Sequence, residues 1–270
     1  MQNLSDIEKS YILELKQIVP IQMFYKIMKM KSVFDSVFFN LDVSKGKELS
    51  RKDRDNDKIK DKDSNLVYGE IKFFAFAISL MKIIYVFGLP KKKEMCFFDI
   101  GSGTGKSTIA ASLLCKWKKC SGYEILESLQ QASVNAAKKL EKKVDSKDEL
   151  QDHYENMELN FHNKNIMDKG FSMKNCTIGF ANSTCFDKKL MQTIASKADK
   201  MEKGSYFITF TKSLPSENWT ILEKKIYKMS WGNATVFIQR KEKEPKKYGK
   251  DKQTAKNNRN TRKKSVKKSK

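Results

Sequence analysis

The chain has 270 residues, 39% of them hydrophobic and 32% charged, and a formal net charge of +22. This length holds one large domain or two small ones, and the excess of cations points to a polyanionic partner such as nucleic acid, a nucleosome or an acidic membrane surface. Five cysteines without metal-type spacing and two histidines argue against a disulfide framework and a zinc site, so free thiols and no metal are expected.

The first residues, MQNLSDIEKS, lack a basic start followed by an apolar core, so no signal peptide is expected. Residues 6–41 place Tyr11, Leu15 and Ile18 on one helical face and, after the break at Pro20, Ile27, Met30 and Phe34 on another. This spacing predicts a small helical subdomain over 1–43, its apolar faces serving core packing. Residues 44–64 mix both charges with almost no apolar side chains and read as a flexible linker. Residues 71–88 are the most apolar stretch, interrupted by Lys72 and Lys82. A lysine at mid-membrane costs about 2.5–3.5 kcal/mol, so a buried helix is expected rather than a membrane span. Gly88-Leu89-Pro90 stops it.

The stretch 95–107, MCFFDIGSGTGKS, carries the chemistry. Cys96-Phe97-Phe98 reads as a short buried strand, Asp99 ends it, and three alternating glycines form a turn before a helix over 105–118 with Ile109, Leu113 and Trp117 on one face. A phosphate loop would share Gly105-Lys106-Ser107, but its first glycine would fall on Ile100. An S-adenosylmethionine loop has an acid, then three glycines at alternate positions, and Asp99, Gly101, Gly103 and Gly105 fit it throughout. A second strand over 120–124 ends on Glu124, where a carboxylate meets ribose hydroxyls in nucleotide-binding folds.

Further on, the pattern predicts a helix over 126–143, strands at 159–162 and 176–181, a helix bearing Leu190, Ile194, Ala198 and Met201, and a strand at 205–211. Segments 220–229 and 234–240 form a hairpin through Ser230-Trp231-Gly232-Asn233. The alternation implies an α/β fold with a mostly parallel sheet covered on both faces, its ligand outside the carboxyl ends of the strands, where Asp99, Glu124, Asn165 and Asn182 gather. Residues 241–270 form a basic tail expected to be disordered, and supply half of the net charge.

Val67-Tyr68-Gly69-Glu70, the glycine loop, Phe180-Ala181-Asn182-Ser183-Thr184-Cys185-Phe186 and the closing segment 227–234 occur in this order. Together they resemble the histone lysine methyltransferases of the disruptor-of-telomeric-silencing type, most closely their divergent members in single-celled eukaryotes. The resemblance spans about residues 64–240; Tyr68-Gly69-Glu70 and the run 182–186 select the family, because most methyltransferases share the glycine loop. It implies a Rossmann-like, seven-stranded sheet over a methyltransferase domain at 65–240, S-adenosyl-L-methionine as cofactor, a core histone or nucleosome as partner, DNA held non-specifically by the tail, and a nuclear location. Position by position, it implies that Tyr68 borders the cofactor and target-lysine site, that Asp99, Gly101, Ser102, Gly103 and Gly105 hold the methionine part, and that Glu124 holds the ribose. Asn165 and Ile166 stand where an acid and an aromatic usually face the adenine, with Asp168 a nearby substitute. Asn182 sits beside the reacting groups, Ser183 replaces a second asparagine, and Phe186 and Trp231 wall the lysine channel.

Other readings stay open at this level. The same fold and basic surface suit a methyltransferase of RNA or of a non-histone protein. The replacements at Asn165 and Ser183 suit a non-catalytic binding module.

Overall fold

The computed structural model describes residues 5–55, 66, 68–89 and 94–244. Helix α1 (Asp6–Ile18) opens with a capping box in which Ser5 and Glu8 satisfy each other's backbone amides. Pro20 then starts α2 (Ile21–Phe38). The charged run read as a linker is helical over its first part: α3 spans Val43–Asp55, started by the Asp42 carboxylate accepting from the Lys45 amide at 2.8 Å. The rest of that run, 56–64, lies outside the described residues. The apolar stretch forms α4 (Phe73–Tyr85), buried at eleven consecutive positions. No helix among the described residues is long and apolar enough to cross a membrane.

The α/β unit follows in the expected order. It runs β1 (Cys96–Ile100), α5 (Lys106–Leu114), β2 (Lys119–Glu124), α6 (Glu127–Val144), α7 (Asp148–Tyr154), β3 (Glu158–Asn163), β4 (Ile178–Ala181), α8 (Lys188–Ala198), β5 (Tyr206–Phe210), β6 (Trp219–Met229) and β7 (Gly232–Lys241). The seven strands form one sheet in the order β3-β2-β1-β4-β5-β7-β6. β7 runs antiparallel to its neighbours β5 and β6, and the other strand pairs are parallel. Pairing of Met229 with Gly232 tightens the hairpin turn to Ser230 and Trp231. α5 is shorter than its apolar pattern suggests because the chain turns extended at Cys115; Trp117, past the end, folds back and donates its indole N–H to the Ala111 carbonyl at 2.8 Å.

Strand alternation divides the core in two. Phe97, Phe180, Tyr206, Ile208 and Phe210 face one side, under α4 and α5. The N-terminal helices belong to that same layer, since Tyr11, Leu15, Ile27 and Phe34 join the same apolar cluster. Phe98, Ile100 and Phe207 face the other side, against Met191 and Ile194 of α8. The crossovers change direction between β1 and β4, so the strand order opens a crevice at their carboxyl ends, where a ligand is received. The basic tail from residue 245 onward lies outside the described residues.

Candidate active site

At the carboxyl end of β1 the chain turns through Gly101, Gly103 and Gly105, with φ of +73°, +55° and +84°. These are left-handed values that glycine adopts without strain. The space is equally restrictive: a Cβ on Gly103 would stand 2.8 Å from the Tyr68 ring, and one on Gly105 2.8 Å from Phe161 and Ser133. The turn is tied to β2, because the Gly101 and Ser102 amides both donate to the Tyr123 carbonyl, at 2.9 and 3.1 Å.

Asp99 lies beneath this turn, fully buried. Its Oδ2 accepts from Ser107 and Thr108 hydroxyls at the start of α5, at 2.5 and 2.7 Å, while its Oδ1 has no partner among the described residues. Burial pushes its pKa up to about 7, against the lowering effect of the two hydroxyls. Asp99 therefore braces loop to helix and does not itself line the cavity. Glu124 does line it, from the end of β2. Its two oxygens accept from the Gly103 amide at 2.8 Å and the Leu126 amide at 2.9 Å. Burial raises its pKa, and the amide bonds work against that shift.

The cavity is about 590 Å³, within the range of small-molecule sites. Tyr68, Gly101, Ser102, Gly103, Asn182 and Phe186 border it, as do Asn165 and Ile166. Asn165 spends one acceptor locally, on the Met167 amide at 2.8 Å. Asp168 is exposed and stays outside the cavity. Trp231 also stays outside: it packs behind Gly69, where a Cβ would meet its ring at 2.8 Å, and beside Phe210. Phe186 covers Gly101, so one aromatic of the expected pair faces the cavity and the other supports its wall.

A second group of residues shapes this wall, and the sequence motif gives a role to only part of it. The Tyr68 hydroxyl donates to Glu70 and lies 2.7 Å from the Thr104 hydroxyl, which donates to it in turn. Glu70 also forms an ion pair with Lys106. Burial first and the Glu70 carboxylate next hold the Tyr68 phenol well above its ordinary pKa, so it stays neutral. Ser230, in the hairpin turn, accepts from the Glu70 amide at 3.1 Å and donates to the Glu70 carbonyl at 2.9 Å. Asn182 Nδ2 donates to the Gly69 carbonyl at 3.0 Å. Three distant segments thus fix the 68–70 loop. Glu70 was legible only as part of a motif, and Lys106 only as the remnant of a failed phosphate-loop match.

S-adenosylmethionine fits these residues. The glycines bring backbone to the cavity, Ser102 lines it, Glu124 presents a carboxylate, and Asp99 keeps an unpartnered buried oxygen, Oδ1, beneath the turn. No group of three or more metal-ligating side chains occurs among the described residues.

The family model described as histone methylation protein DOT1 matches residues 54–242. No curated protein matches the chain. Among solved structures, a putative methylase from Haemophilus influenzae is similar at 15% identity, over 62% of this chain and 99% of the other, with a TM-score of 0.43. Magnesium protoporphyrin IX methyltransferase from Synechocystis PCC 6803 with bound SAH is similar at 10% identity, over 72% and 99%, with a TM-score of 0.44. The family match spans the Tyr68–Glu70 wall, the glycine loop, Glu124, Asn182 and the closing hairpin, and the chain belongs to the histone methylation protein DOT1 family, whose members are S-adenosylmethionine-dependent methyltransferases.

Proposed function

We propose that this chain transfers a methyl group to a lysine of a nucleosomal core histone, with residues 65–240 as the catalytic domain and the basic tail as the part that holds DNA. The observation that carries the reading is the convergence, on one cavity, of the glycine loop and Glu124 with the Tyr68–Glu70 wall and Asn182. S-adenosylmethionine supplies an activated methyl on a sulfonium when bound. Glu124 accepts from the ribose hydroxyls, as its buried carboxylate suits. Ser102 and the glycine turn, braced from below by Asp99, hold the amino-acid end, and Asn165 with Ile166 borders the base.

The acceptor lysine must arrive as a neutral amine, because only the free electron pair forms the new N–C bond as the C–S bond breaks. Phe186 and the apolar rim exclude water and lower the lysine pKa, so the proton leaves to solvent before transfer. Tyr68 is neutral and donates its only proton to Glu70, so it serves as a wall that aligns the reactants and not as a base. Alignment is the main contribution required from the protein in such a displacement. A substrate in chromatin places the protein in the nucleus.

Labelled S-adenosylmethionine offered with nucleosomes, free histones and RNA in parallel tests the reading, with Glu124→Gln as control. Label on a nucleosomal histone lysine, lost in the control, is expected. Label confined to RNA would replace the histone reading with an RNA substrate.

A further inference from the structure

Just past β5, Thr211 stands at φ +67°. A β-branched residue in the left-handed region is an outlier, and such conformations persist only where the surroundings over-determine them. Here they do. The Thr211 amide donates to the Thr235 carbonyl at 2.6 Å. On either side, the Ser183 hydroxyl donates to the Phe210 carbonyl at 2.6 Å, and Lys212 Nζ donates to the Phe186 carbonyl. The end of β5 is therefore bolted to the loop that follows β4.

This backbone carries the Thr211 hydroxyl to 3.1 Å from the Thr184 hydroxyl. Thr184 donates to Asn182 Oδ1 at 3.1 Å, and Asn182 Nδ2 donates to the Gly69 carbonyl at 3.0 Å. Thr184 has one proton and gives it to Asn182, so Thr211 must be the donor to Thr184. The three bonds run in one direction, from the end of β5 through Asn182 to the loop that bears Tyr68. Asn182 is thereby held by both ends of its amide: its oxygen faces Thr184 and its nitrogen faces Gly69. Glycine takes this backbone without strain, so what threonine contributes at the position is its hydroxyl.

We propose that Thr211 is a positioning residue for methyl transfer, acting through Thr184 to fix the amide orientation of Asn182 and, through Gly69, the placement of Tyr68 at the cavity. The inference rests on the reading of Asn182 as a residue beside the reacting groups. Thr211 and Thr184 lie outside the cavity, and the cofactor contacts of Glu124 and the glycine turn do not depend on them.

The test compares Thr211→Gly, Thr211→Ser, Thr184→Ala and Asn182→Ala in the full chain. It uses the acceptor that the native chain labels, and measures kcat, KM, cofactor Kd by calorimetry and Tm. Thr211→Gly relieves the backbone and removes the hydroxyl. It is expected to keep its Tm, to bind cofactor within about twofold of the native chain and to lose about tenfold in kcat, the scale of a small misalignment. Thr211→Ser restores most of that loss, and combining Thr211→Gly with Thr184→Ala lowers kcat no further than either change alone. Native kcat in Thr211→Gly, with Asn182→Ala impaired, would overturn the relay and leave the role of Asn182 standing. Native kcat in Asn182→Ala would remove the reading beneath it as well. A loss in Thr211→Gly carried by cofactor Kd or by a lowered Tm would make Thr211 a structural residue and overturn the proposal.

Discussion

Asp99 is a carboxylate whose pKa, about 7, stands well above the ordinary 3.8 because burial outweighs two hydroxyl bonds. The folded protein without ligand therefore keeps this proton at pH values where the unfolded chain has released it. The group's contribution to stability is favourable below pH 4 and is lost as pH rises from about 4 to 7. On the proposed reading, a cationic amine held by the glycine turn above Asp99 favours the ionised form through space, so binding below pH 7 releases the proton. Calorimetry across pH 5.5–8 is expected to show Kd weakening by up to about tenfold per unit below pH 7. Asp99→Asn should bind more weakly at every pH and lose most of that slope. A native Kd that is flat through this range would mean that Asp99 does not sense the bound amine. The position of Asp99 before the glycines was enough to mark it, yet whether its carboxylate faces ligand or helix depends on Ser107 and Thr108, whose hydroxyls take one of its oxygens. Trp231 illustrates the same limit: its place in a motif was readable, but the tight two-residue turn that sends it behind Gly69 was not.

Among the elements, α4 and α1 are joined by charge inside an otherwise apolar layer. Lys82 of α4 lies 2.8 Å from Glu14 of α1 and 2.8 Å from Glu223 of β6, and Tyr227 and Lys225 also bond Glu14. Removing the lysine alone leaves two carboxylates facing each other in a mostly enclosed site, so Lys82→Met is expected to cost about 2–4 kcal/mol in denaturant unfolding. Adding Glu14→Gln and Glu223→Gln should recover much of that loss; if the triple variant is no better than the single one, apolar packing and not charge holds α1. At the other end of the layer, His153 of α7 donates from Nε2 to the Ser112 carbonyl at 2.7 Å and accepts from Lys26 at 3.2 Å. Burial lowers its pKa, with Lys26 adding to the effect. The folded state thus resists protonation that the unfolded chain accepts near pH 6.5, and stability falls as pH drops below that point. Urea unfolding between pH 7.5 and 5 should show the native chain losing more stability than His153→Gln, whose amide can reproduce both bonds in neutral form. α3 escaped the sequence pattern because its buried positions are Gly46 and Ser50, which carry no hydrophobic signal. It is held by long-range packing instead: the Tyr68 ring against Gly46, and Asp53 accepting both the amide and the hydroxyl of Ser128 at 2.6 Å.

For the molecule as a whole, the sheet order and the ligand crevice follow from alternating strand and helix patterns, which local periodicity encodes. The union of the N-terminal helices with the sheet's core does not, because it depends on which face each helix turns inward. On the proposed reading, the charge distribution separates catalysis from affinity. Half of the net charge lies from Lys241 onward. Where the folded domain meets that basic segment, the Lys241 carbonyl accepts from the Gly204 amide at 2.8 Å and the Glu242 amide donates to the Asn218 carbonyl at 2.8 Å. A chain ending after Glu244 keeps both bonds, so its fold and its cofactor Kd should match those of the full chain. Each phosphate that the tail neutralises adds about 0.9 to the slope of log affinity against log salt, and removing the tail should subtract the same amount. Binding to nucleosomes, measured from 50 to 200 mM salt, is therefore expected to be weaker and less salt-dependent in the shortened chain, while methyl transfer to free histones stays near the native rate. An unchanged salt slope would move DNA binding from the tail onto the folded domain, and an equal drop in transfer to free histones would make the tail part of substrate recognition and not an electrostatic tether.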